Sequence, residues 1–259
     1  MIDGKVIAGK ISAELKQQKI PSKKLVAVLV GSDPASLSFI KQKARVAEEL
    51  GVKFEIKKFS STLSQSALEK SIKRIAQDKK VGGFIIQLPL PKKYNRTVLL
   101  NAIGIEKDID LLNGENSRIL APAAGALERI LKSVRFSPKG KRVVVIGSGL
   151  LVGQPVVRWL MDRCAQLTVM NKGGLDKAEL RRADLIVTGA GHMNLIRGGD
   201  IKKNAVLIDF GYAKAKGQLH GDIDFKSVSK KTSFITPTPG GTGPVVVAML
   251  LWNFFHLNT

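Results

Sequence analysis

Residues 140–160 read GKRVVVIGSGLLVGQPVVRWL and place a β-branched run, a glycine-rich turn and a helical pattern in direct succession. The unbroken apolar run at 143–146 predicts a parallel strand that is buried on both faces. In the turn, Gly147, Gly149 and Gly153 would let the backbone approach a pyrophosphate, whose charge suits the positive end of the following helix. Their spacing is one residue longer than the usual dinucleotide fingerprint. The segment therefore predicts a nucleotide-binding turn, and an α/β turn that binds nothing stays the alternative.

Strand and helix patterns alternate on both sides of this segment. Further strands are predicted at residues 25–30, 52–59, 83–86, 167–170, 185–188 and 205–208. Helices are predicted at residues 11–18, 36–50, 63–76, 123–134, 156–160, 176–182 and 245–255, with a hairpin-like excursion at 217–221. Such alternation is typical of parallel sheets with crossover helices. We therefore expect an α/β protein with two domains, each a mostly parallel sheet with flanking helices, of which the second is a Rossmann-like dinucleotide-binding unit.

The composition excludes several classes of protein. With 259 residues and 44% hydrophobic residues, the chain is long enough for one large or two ordinary globular domains. The single cysteine, Cys164, rules out an internal disulfide, and with three scattered histidines it offers no metal-ligand spacing. The N-terminus lacks an apolar signal core, and the longest apolar run, residues 245–252, is too short to cross a bilayer. We expect a soluble, cytoplasmic protein with no zinc site and no membrane span.

The chain is strongly basic. It carries 42 Lys and Arg against 21 Asp and Glu, and both halves share the formal net charge of +21 almost evenly. Such a surplus favours anionic ligands or nucleic acid through long-range steering. The basic residues form no tail and are not interleaved with aromatic residues, so a solvated surface is the preferred interpretation. We do not expect nucleic acid to be a partner.

Two polar segments follow the predicted strand at 83–86. The first, QLPLP at 87–91, places a glutamine and two prolines just past a strand's carboxyl end, where open α/β sheets bind their ligands. The second, KDID at 107–110, holds two carboxylates beside a lysine. Taken alone, this second segment would be a solvated loop.

Five motifs resemble the bifunctional methylenetetrahydrofolate dehydrogenase/methenyltetrahydrofolate cyclohydrolase family over nearly the whole chain. They are GSDPAS at 31–36 followed by Lys43, QLPLP at 87–91, KDID at 107–110, VGQP at 152–155 and TPTPGGTGP at 236–244. The last motif is the most specific, and all five occur in one order. The resemblance implies oxidation of 5,10-methylenetetrahydrofolate with NADP and hydrolysis of the methenyl product to 10-formyltetrahydrofolate. It also implies tetrahydrofolate derivatives as ligands and a homodimer.

The resemblance assigns roles to individual residues. Lys43 matches the family's catalytic lysine, and Gln87 matches the glutamine that lies beside that lysine. Asp110 matches the carboxylate that accepts the paired N–H donors of a pterin edge. A lysine in this role must exchange a proton near neutral pH, and burial, a cationic substrate and the glutamine dipole would all influence its pKa. Further substrate contacts are expected from Phe39, Leu88, Pro89, Pro239 and Gly240. Without the resemblance, Lys43 and Gln87 would be a solvated helix residue and a loop cap.

The resemblance also implies that both chain ends build the first domain. Residues 1–121 with 244–259 are expected to form a folate-binding catalytic domain, and residues 122–243 the NAD(P)-binding domain. The cofactor contacts expected in the two glycine-rich segments and after the strand at 167–170 are Gly147, Ser148, Gly149, Val152, Gly153, Pro155, Asn171, Lys172, Gly241, Thr242 and Gly243. In the later segment, glycines are expected to give the backbone access to the cofactor.

The choice between NADP and NAD depends on the residues that follow the strand at 167–170. An NAD enzyme usually carries an acid there for the ribose diol, whereas this chain has Asn171 and Lys172. Lys172 suits a 2′-phosphate, but Ser148 replaces the arginine that the family places in the glycine turn. NADP is therefore preferred, and NAD stays open.

The chain departs from the family pattern at four further positions. Phe39 replaces a tyrosine and keeps the ring that can stack on a pterin. Ala123 lies in a stretch where the family carries a threonine, Leu111 replaces a glycine, and Val246 replaces a threonine. These losses leave two alternatives open: a member with only one of the two activities, or a non-catalytic folate-binding or nucleic-acid-binding protein on the same scaffold.

Overall fold

The computed structural model describes residues 1–114, 116–215 and 217–258, which divide into two compact units. We call Lys10–Pro122 with the chain from Val247 onward the three-stranded unit. Met1–Gly9 with Ala123–Val246 is the five-stranded unit. The two-domain α/β organisation predicted from the sequence is confirmed.

The division differs from the predicted domain bounds at the N-terminus, where the first nine residues belong to the five-stranded unit. The backbone N–H groups of Ile2 and Gly4 donate to the carbonyls of Ile235 and Gly240, at 2.8 and 3.0 Å. A Cβ atom on Gly4 would lie 1.6 Å from the Gly241 carbonyl oxygen, so only glycine permits this approach. The packing of the first residues therefore depends on partners far along the chain.

The described residues of the three-stranded unit form three strands and three helices that lie wholly within it. The strands are β1 (Lys24–Val30), β2 (Phe54–Phe59) and β3 (Val81–Ile86), and the helices are α2 (Pro34–Glu49), α3 (Gln65–Gln77) and α4 (Arg96–Asn101). Three more helices, α1 (Gly4–Lys16), α5 (Pro122–Ser133) and α9 (Thr242–Asn258), carry residues of both units.

The sheet of this unit is parallel throughout, in the order β2-β1-β3. Residues 25–30 of β1 and all of β3 are buried, as the continuous apolar runs predict. The last part of α9 packs on β3. Phe254 lies so close to Gly83 that a Cβ atom on this glycine would be 2.6 Å from the Phe254 Cδ2. From β1 the chain adds β2 on one side of the sheet and β3 on the other, so the strand order reverses at β1. Open α/β sheets bind their ligands at such a reversal, outside the carboxyl ends of the strands.

The five-stranded unit contains a parallel sheet and a small hairpin. In chain order its elements are β4 (Arg142–Ile146), α6 (Gly153–Leu160), β5 (Gln166–Met170), α7 (Lys177–Arg182), β6 (Leu185–Thr188), a 3-10 turn (Gly198–Asp200), β7 (Val206–Asp209), β8 (Ala213–Ala215), β9 (Gln218–His220), α8 (Phe225–Val228) and β10 (Phe234–Ile235). The parallel sheet has the order β10-β7-β6-β4-β5, and β8 pairs with β9. The reversal falls at β4, so the glycine-rich turn after β4 occupies the position where doubly wound sheets bind nucleotides.

Several helices and strands differ in the structure from the predicted ones. Helix α1 begins at Gly4 rather than residue 11, because the Asp3 carboxylate caps it by accepting from the N–H groups of Lys5 and Val6. Helix α9 begins at Thr242 rather than residue 245. The short elements α4, α8 and β10 were not predicted. No helix within the described ranges is long and apolar enough to cross a membrane.

Candidate functional site

Lys43 and Gln87 meet at the carboxyl edge of the three-stranded sheet. Lys43 lies on α2, which follows β1, and Gln87 directly follows β3. Helix α2 starts where it does because Pro34 opens it and the Asp33 carboxylate accepts from the Ser36 N–H at 2.8 Å. The Lys43 Nζ donates to the Gln87 Oε1 at 3.2 Å. The predicted pairing of the two side chains is thus present in the structure.

The orientation of the Gln87 amide is fixed by its second contact. Its Nε2 donates to the Leu88 carbonyl oxygen at 2.7 Å, and this side chain is buried. Because a carbonyl can only accept, the nitrogen end must face Leu88 and the oxygen end must face Lys43. Gln87 therefore presents an acceptor to the ammonium group.

Asp110 completes the group of polar side chains at this edge. The side chain is half-buried, and burial raises the pKa of its carboxyl, while the positive charge of Lys43 acts in the opposite direction. The charge of Lys43 therefore acts on the Asp110 carboxyl. The structure brings together the three residues predicted to be catalytic, Lys43, Gln87 and Asp110.

The neighbouring residues of the KDID segment have separate roles, which the sequence did not reveal. The Lys107 Nζ donates to the carbonyls of Ala76 at 2.5 Å and Asp78 at 2.9 Å, at the C-terminal end of α3. The Asp108 carboxylate is 1% exposed and accepts backbone hydrogen bonds from three following residues, Asp110, Leu112 and Asn113. Burial and then the charge of Asp110 raise the pKa of Asp108 to about 6. The segment is an anchored turn rather than a solvated loop.

The residues predicted to contact the substrate fall into two groups. Phe39 lies on α2, one turn before Lys43, and is half-buried, and Leu88 and Pro89 follow Gln87. Pro239 and Gly240 belong to the five-stranded unit. Only the first group therefore shares a unit with the predicted catalytic residues, and the role of all five stays a prediction.

The three glycines of the turn after β4 serve different purposes. A Cβ atom on Gly153 would lie 1.9 Å from the Gly147 carbonyl oxygen, and one on Gly147 would lie 2.7 Å from the Gly189 carbonyl oxygen. Around Gly149, in contrast, there is no described atom within 4 Å of a Cβ position. Gly147 and Gly153 therefore allow close internal packing, and Gly149 is the exposed position at which a ligand's phosphates can approach the backbone.

The other predicted cofactor residues surround this turn. Val152 precedes α6 and makes no capping hydrogen bond through its side chain, and the Gln154 N–H in the first turn donates to the Gly149 carbonyl at 3.0 Å. The Ser148 Oγ donates to the Asn171 Oδ1 at 3.0 Å, which joins the turn to the end of β5. Pro155 lies in the first turn of α6, and Lys172 is exposed next to Asn171. These residues fit a dinucleotide phosphate.

The glycines of the later glycine-rich segment, at 236–244, do not all serve to give the backbone access to the cofactor. A Cβ atom on Gly241 would lie 2.4 Å from the Pro237 carbonyl oxygen, so this glycine is required by internal packing. Thr242 and Gly243 lie in the first turn of α9 rather than in a loop. The Thr242 hydroxyl is buried and donates to the Asp209 carbonyl oxygen at 2.7 Å.

A network of two buried aspartates at the strand ends of the five-stranded sheet was missed by the sequence analysis. The Asp209 carboxylate accepts from the Thr188 hydroxyl at 2.9 Å and from the backbone N–H groups of Gly211, Asp222 and Ile223. The Asp222 carboxylate accepts from the N–H groups of Ala190 and His192, both at 2.7 Å. The pair thus ties together the loops that follow β6 and β7.

The buried pair makes the stability of the protein depend on pH. Burial and then the charge of Asp222 raise the pKa of Asp209 to about 6. The native state therefore binds this proton more tightly than the unfolded state, so the stabilisation is present at low pH and is lost as the pH rises through about 6. We expect Asp209 to lower the free energy of unfolding by up to about 3 kcal/mol between pH 4 and pH 7.

Urea denaturation of the wild type and Asp209→Asn across this pH range checks the expectation. At low pH we expect the variant to be less stable than the wild type, because an amide nitrogen replaces one accepting oxygen. The informative quantity is the slope of stability against pH, which should be less negative in the variant. Parallel profiles for the two proteins would contradict the assignment.

The described residues contain no group of three or more His, Cys, Asp or Glu side chains arranged to hold a metal ion. Cys164 is a free, partly buried thiol.

Comparison with known proteins matches both parts of the chain to one family. Residues 2–110 match the catalytic domain of the tetrahydrofolate dehydrogenase/cyclohydrolase family, and residues 121–259 match its NAD(P)-binding domain. The chain is 36% identical to the bifunctional protein FolD of Moorella thermoacetica over 270 aligned positions, which cover 98% of this chain and 96% of that protein.

Two solved structures are similar over almost their whole length. The bifunctional FolD methylenetetrahydrofolate dehydrogenase/cyclohydrolase of Campylobacter jejuni has a TM-score of 0.93 and 34% identity, and the match covers 99% of this chain and 97% of that one. The Trypanosoma brucei methylenetetrahydrofolate dehydrogenase-cyclohydrolase, solved with NADP and an inhibitor, has a TM-score of 0.93 and 30% identity, with 99% and 96% covered.

Proposed function

The chain belongs to the tetrahydrofolate dehydrogenase/cyclohydrolase family, and from this membership we propose that both activities of the family are carried out by its own residues. The protein oxidises 5,10-methylenetetrahydrofolate to 5,10-methenyltetrahydrofolate with NADP. It then hydrolyses the methenyl compound to 10-formyltetrahydrofolate. The observation that carries the proposal is the group formed by Lys43, Gln87 and Asp110 within one unit.

The oxidation requires few side chains. NADP, when bound, accepts the hydride of the methylene carbon, and the protein's task is to align two rings. The residues that fit the cofactor are the exposed Gly149, Val152 at the start of α6, and Ser148 with its Asn171 partner. Lys172, exposed after β5, is the residue that suits the 2′-phosphate. The cofactor is NADP, in agreement with the trypanosome structure.

The hydrolysis requires a group that exchanges protons. Water adds to the methenyl carbon and loses a proton, and the bond from this carbon to N5 then breaks as N5 takes up a proton and the C=O bond forms. One proton is released in total. Lys43 is the proton-exchanging group in our proposal, and the Gln87 oxygen holds its Nζ in place at 3.2 Å.

Asp110 is the anchor for the pterin ring in this proposal. Its half-buried carboxylate can accept two adjacent N–H donors from the ring. We expect Asp110→Asn to weaken folate binding by about 1 to 3 kcal/mol, the scale of a hydrogen bond to a charged group. Isothermal titration with tetrahydrofolate measures this loss, and NADP binding serves as the internal control. An unchanged folate affinity would exclude the pterin anchor.

The proposed function is tested most directly by absorbance assays of the two half-reactions on purified protein, with NADP and NAD supplied separately. We expect methylenetetrahydrofolate-dependent reduction of NADP and enzyme-dependent loss of methenyltetrahydrofolate. Reduction without hydrolysis would favour a member with one activity. Absence of both would favour a folate-binding protein without catalysis.

We also propose a cytoplasmic homodimer. The location is supported by a single, free cysteine. The dimer is supported by the family resemblance and by strand β2, which forms an edge of the three-stranded sheet. Sedimentation velocity measures the oligomeric state.

A further inference from the structure

Asp110 lies in a backbone segment that is held from two directions by buried side chains outside the proposed catalytic group. The segment extends the three-stranded sheet by one residue pair, since Asp108 pairs with Phe84 and the Phe84 N–H donates to the Lys107 carbonyl at 2.8 Å. After this pair the chain turns sharply, and Leu111 adopts a positive φ of 53°. A residue other than glycine is strained in this conformation, so other contacts must enforce it.

The first of these contacts comes from Asp108. Its Oδ1 accepts from the Asp110 N–H at 3.2 Å, and its Oδ2 accepts from the N–H groups of Leu112 at 2.7 Å and Asn113 at 3.0 Å. The backbone on both sides of Leu111 is thus fixed by one carboxylate. These hydrogen bonds hold Leu111 at its positive φ.

The second contact comes from α9. Asn253 is completely buried in the apolar part of this helix, and its Nδ2 donates to the carbonyls of Ile109 at 2.8 Å and Leu120 at 2.7 Å. Both partners can only accept, so the orientation of the amide is unambiguous. The carbonyl of Ile109 belongs to the peptide group that supplies the N–H of Asp110. Asp108 and Asn253 therefore hold opposite ends of a single peptide group.

We propose that Asp108 and Asn253 are positioning residues for the Asp110 carboxylate, and that folate affinity depends on them through Asp110. The inference rests on the proposed function, because it assumes that Asp110 contacts the folate. Neither residue reaches the ligand in this account. Burial of a polar amide in an apolar helix is costly, and the Asn253 Oδ1 has no hydrogen-bond partner among the described residues. The hydrogen bonds that Asn253 does make are the two from its Nδ2, and they hold the backbone at Ile109 and Leu120, on either side of Asp110 in the chain.

A double-mutant cycle separates positioning from a general contribution to stability. We expect Asn253→Ala to weaken tetrahydrofolate binding by about tenfold in the wild type. In the Asp110→Asn background the same substitution should weaken it by about twofold or less, because the group that Asn253 positions has already lost its charge. Tetrahydrofolate is a suitable probe because it lacks the one-carbon unit and cannot be turned over. NADP affinity should stay unchanged in all variants.

Asn258→Ala provides a matched control on the same helix. The Asn258 Nδ2 also bridges two carbonyls, those of Gly82 at 3.0 Å and Phe254 at 2.7 Å, but neither adjoins Asp110. We expect its folate affinity to equal that of the wild type. An equal loss in Asn258→Ala and Asn253→Ala would overturn the inference, as would equal losses from Asn253→Ala in both backgrounds.

Asp108→Asn keeps the test decisive if Asn253→Ala does not fold. It removes one accepting oxygen without creating a cavity, and the same dependence on the Asp110 background is expected. A folded Asp108→Asn protein with wild-type folate affinity would overturn the inference. A wild-type protein that binds no tetrahydrofolate would instead overturn the proposed function, so the two failures are distinguishable.

Discussion

The Lys43→Ala protein should lose cyclohydrolase activity by a factor of about 100 to 10,000, the range of general acid–base catalysis. Its dehydrogenase activity should stay within about tenfold of the wild type, because the oxidation depends on ring alignment rather than on proton exchange. The structural reason is that the Gln87 oxygen holds the Lys43 Nζ, which in our proposal exchanges a proton with the water that attacks the substrate. Steady-state rates of the two half-reactions measure the difference.

Lys41→Ala is the control for this experiment. Lys41 lies on the same helix, two residues away, and is exposed. Both activities should stay at the wild-type level in this variant. An equal loss of both activities in Lys43→Ala would contradict the division of roles between the two reactions.

Gly153→Ala should damage the five-stranded unit severely. The added Cβ atom would lie 1.9 Å from the carbonyl oxygen of Gly147 and 2.7 Å from its carbonyl carbon, and these are backbone atoms that cannot rotate away. The turn between β4 and α6 must open to admit it. We expect a loss of about 3 kcal/mol in the free energy of unfolding, as for severe overpacking, together with loss of NADP binding. Urea denaturation and NADP titration measure the two effects.

Gly149→Ala in the same turn separates packing from ligand access. No described atom lies within 4 Å of a Cβ position on Gly149, so the substitution should leave stability unchanged within about 0.5 kcal/mol. NADP binding should nevertheless weaken, because the methyl group stands where the phosphates approach. If Gly149→Ala destabilises the protein as much as Gly153→Ala does, the assignment of distinct roles to the two glycines is wrong.

The longer strands and the three polar residues of the candidate site were predictable because their signals are local or shared with a family. The run at 143–146 predicted the buried strand β4, which lies between two neighbours in the sheet. The roles of Lys43, Gln87 and Asp110 came from the resemblance, since a lysine and a glutamine separated by 44 residues carry no pattern of their own. The structure adds their contact and the orientation of the amide.

The individual purposes of the glycines were not predictable, because they depend on backbone from distant parts of the chain. Gly147 faces the backbone of Gly189, and Gly4 faces that of Gly241. The aspartate pair was missed for the same reason, since Asp209 and Asp222 meet only after the hairpin folds back. Asn253 did leave a signal, a single amide in the predicted apolar helix at 245–255, which indicates a buried hydrogen-bonding role.

The chain segments that form each unit determine which unit has all of its residues first during translation. The ribosome delivers residues 10–122 of the three-stranded unit before most of the five-stranded unit, but Asn253 and Phe254, which pack on its anchored turn and on β3, emerge only after Val246. The five-stranded unit has all of its residues once Val246 has been added. The three-stranded unit is therefore completed after the five-stranded unit has all of its residues, and residues 10–122 expose an unfinished apolar surface until helix α9 has been made.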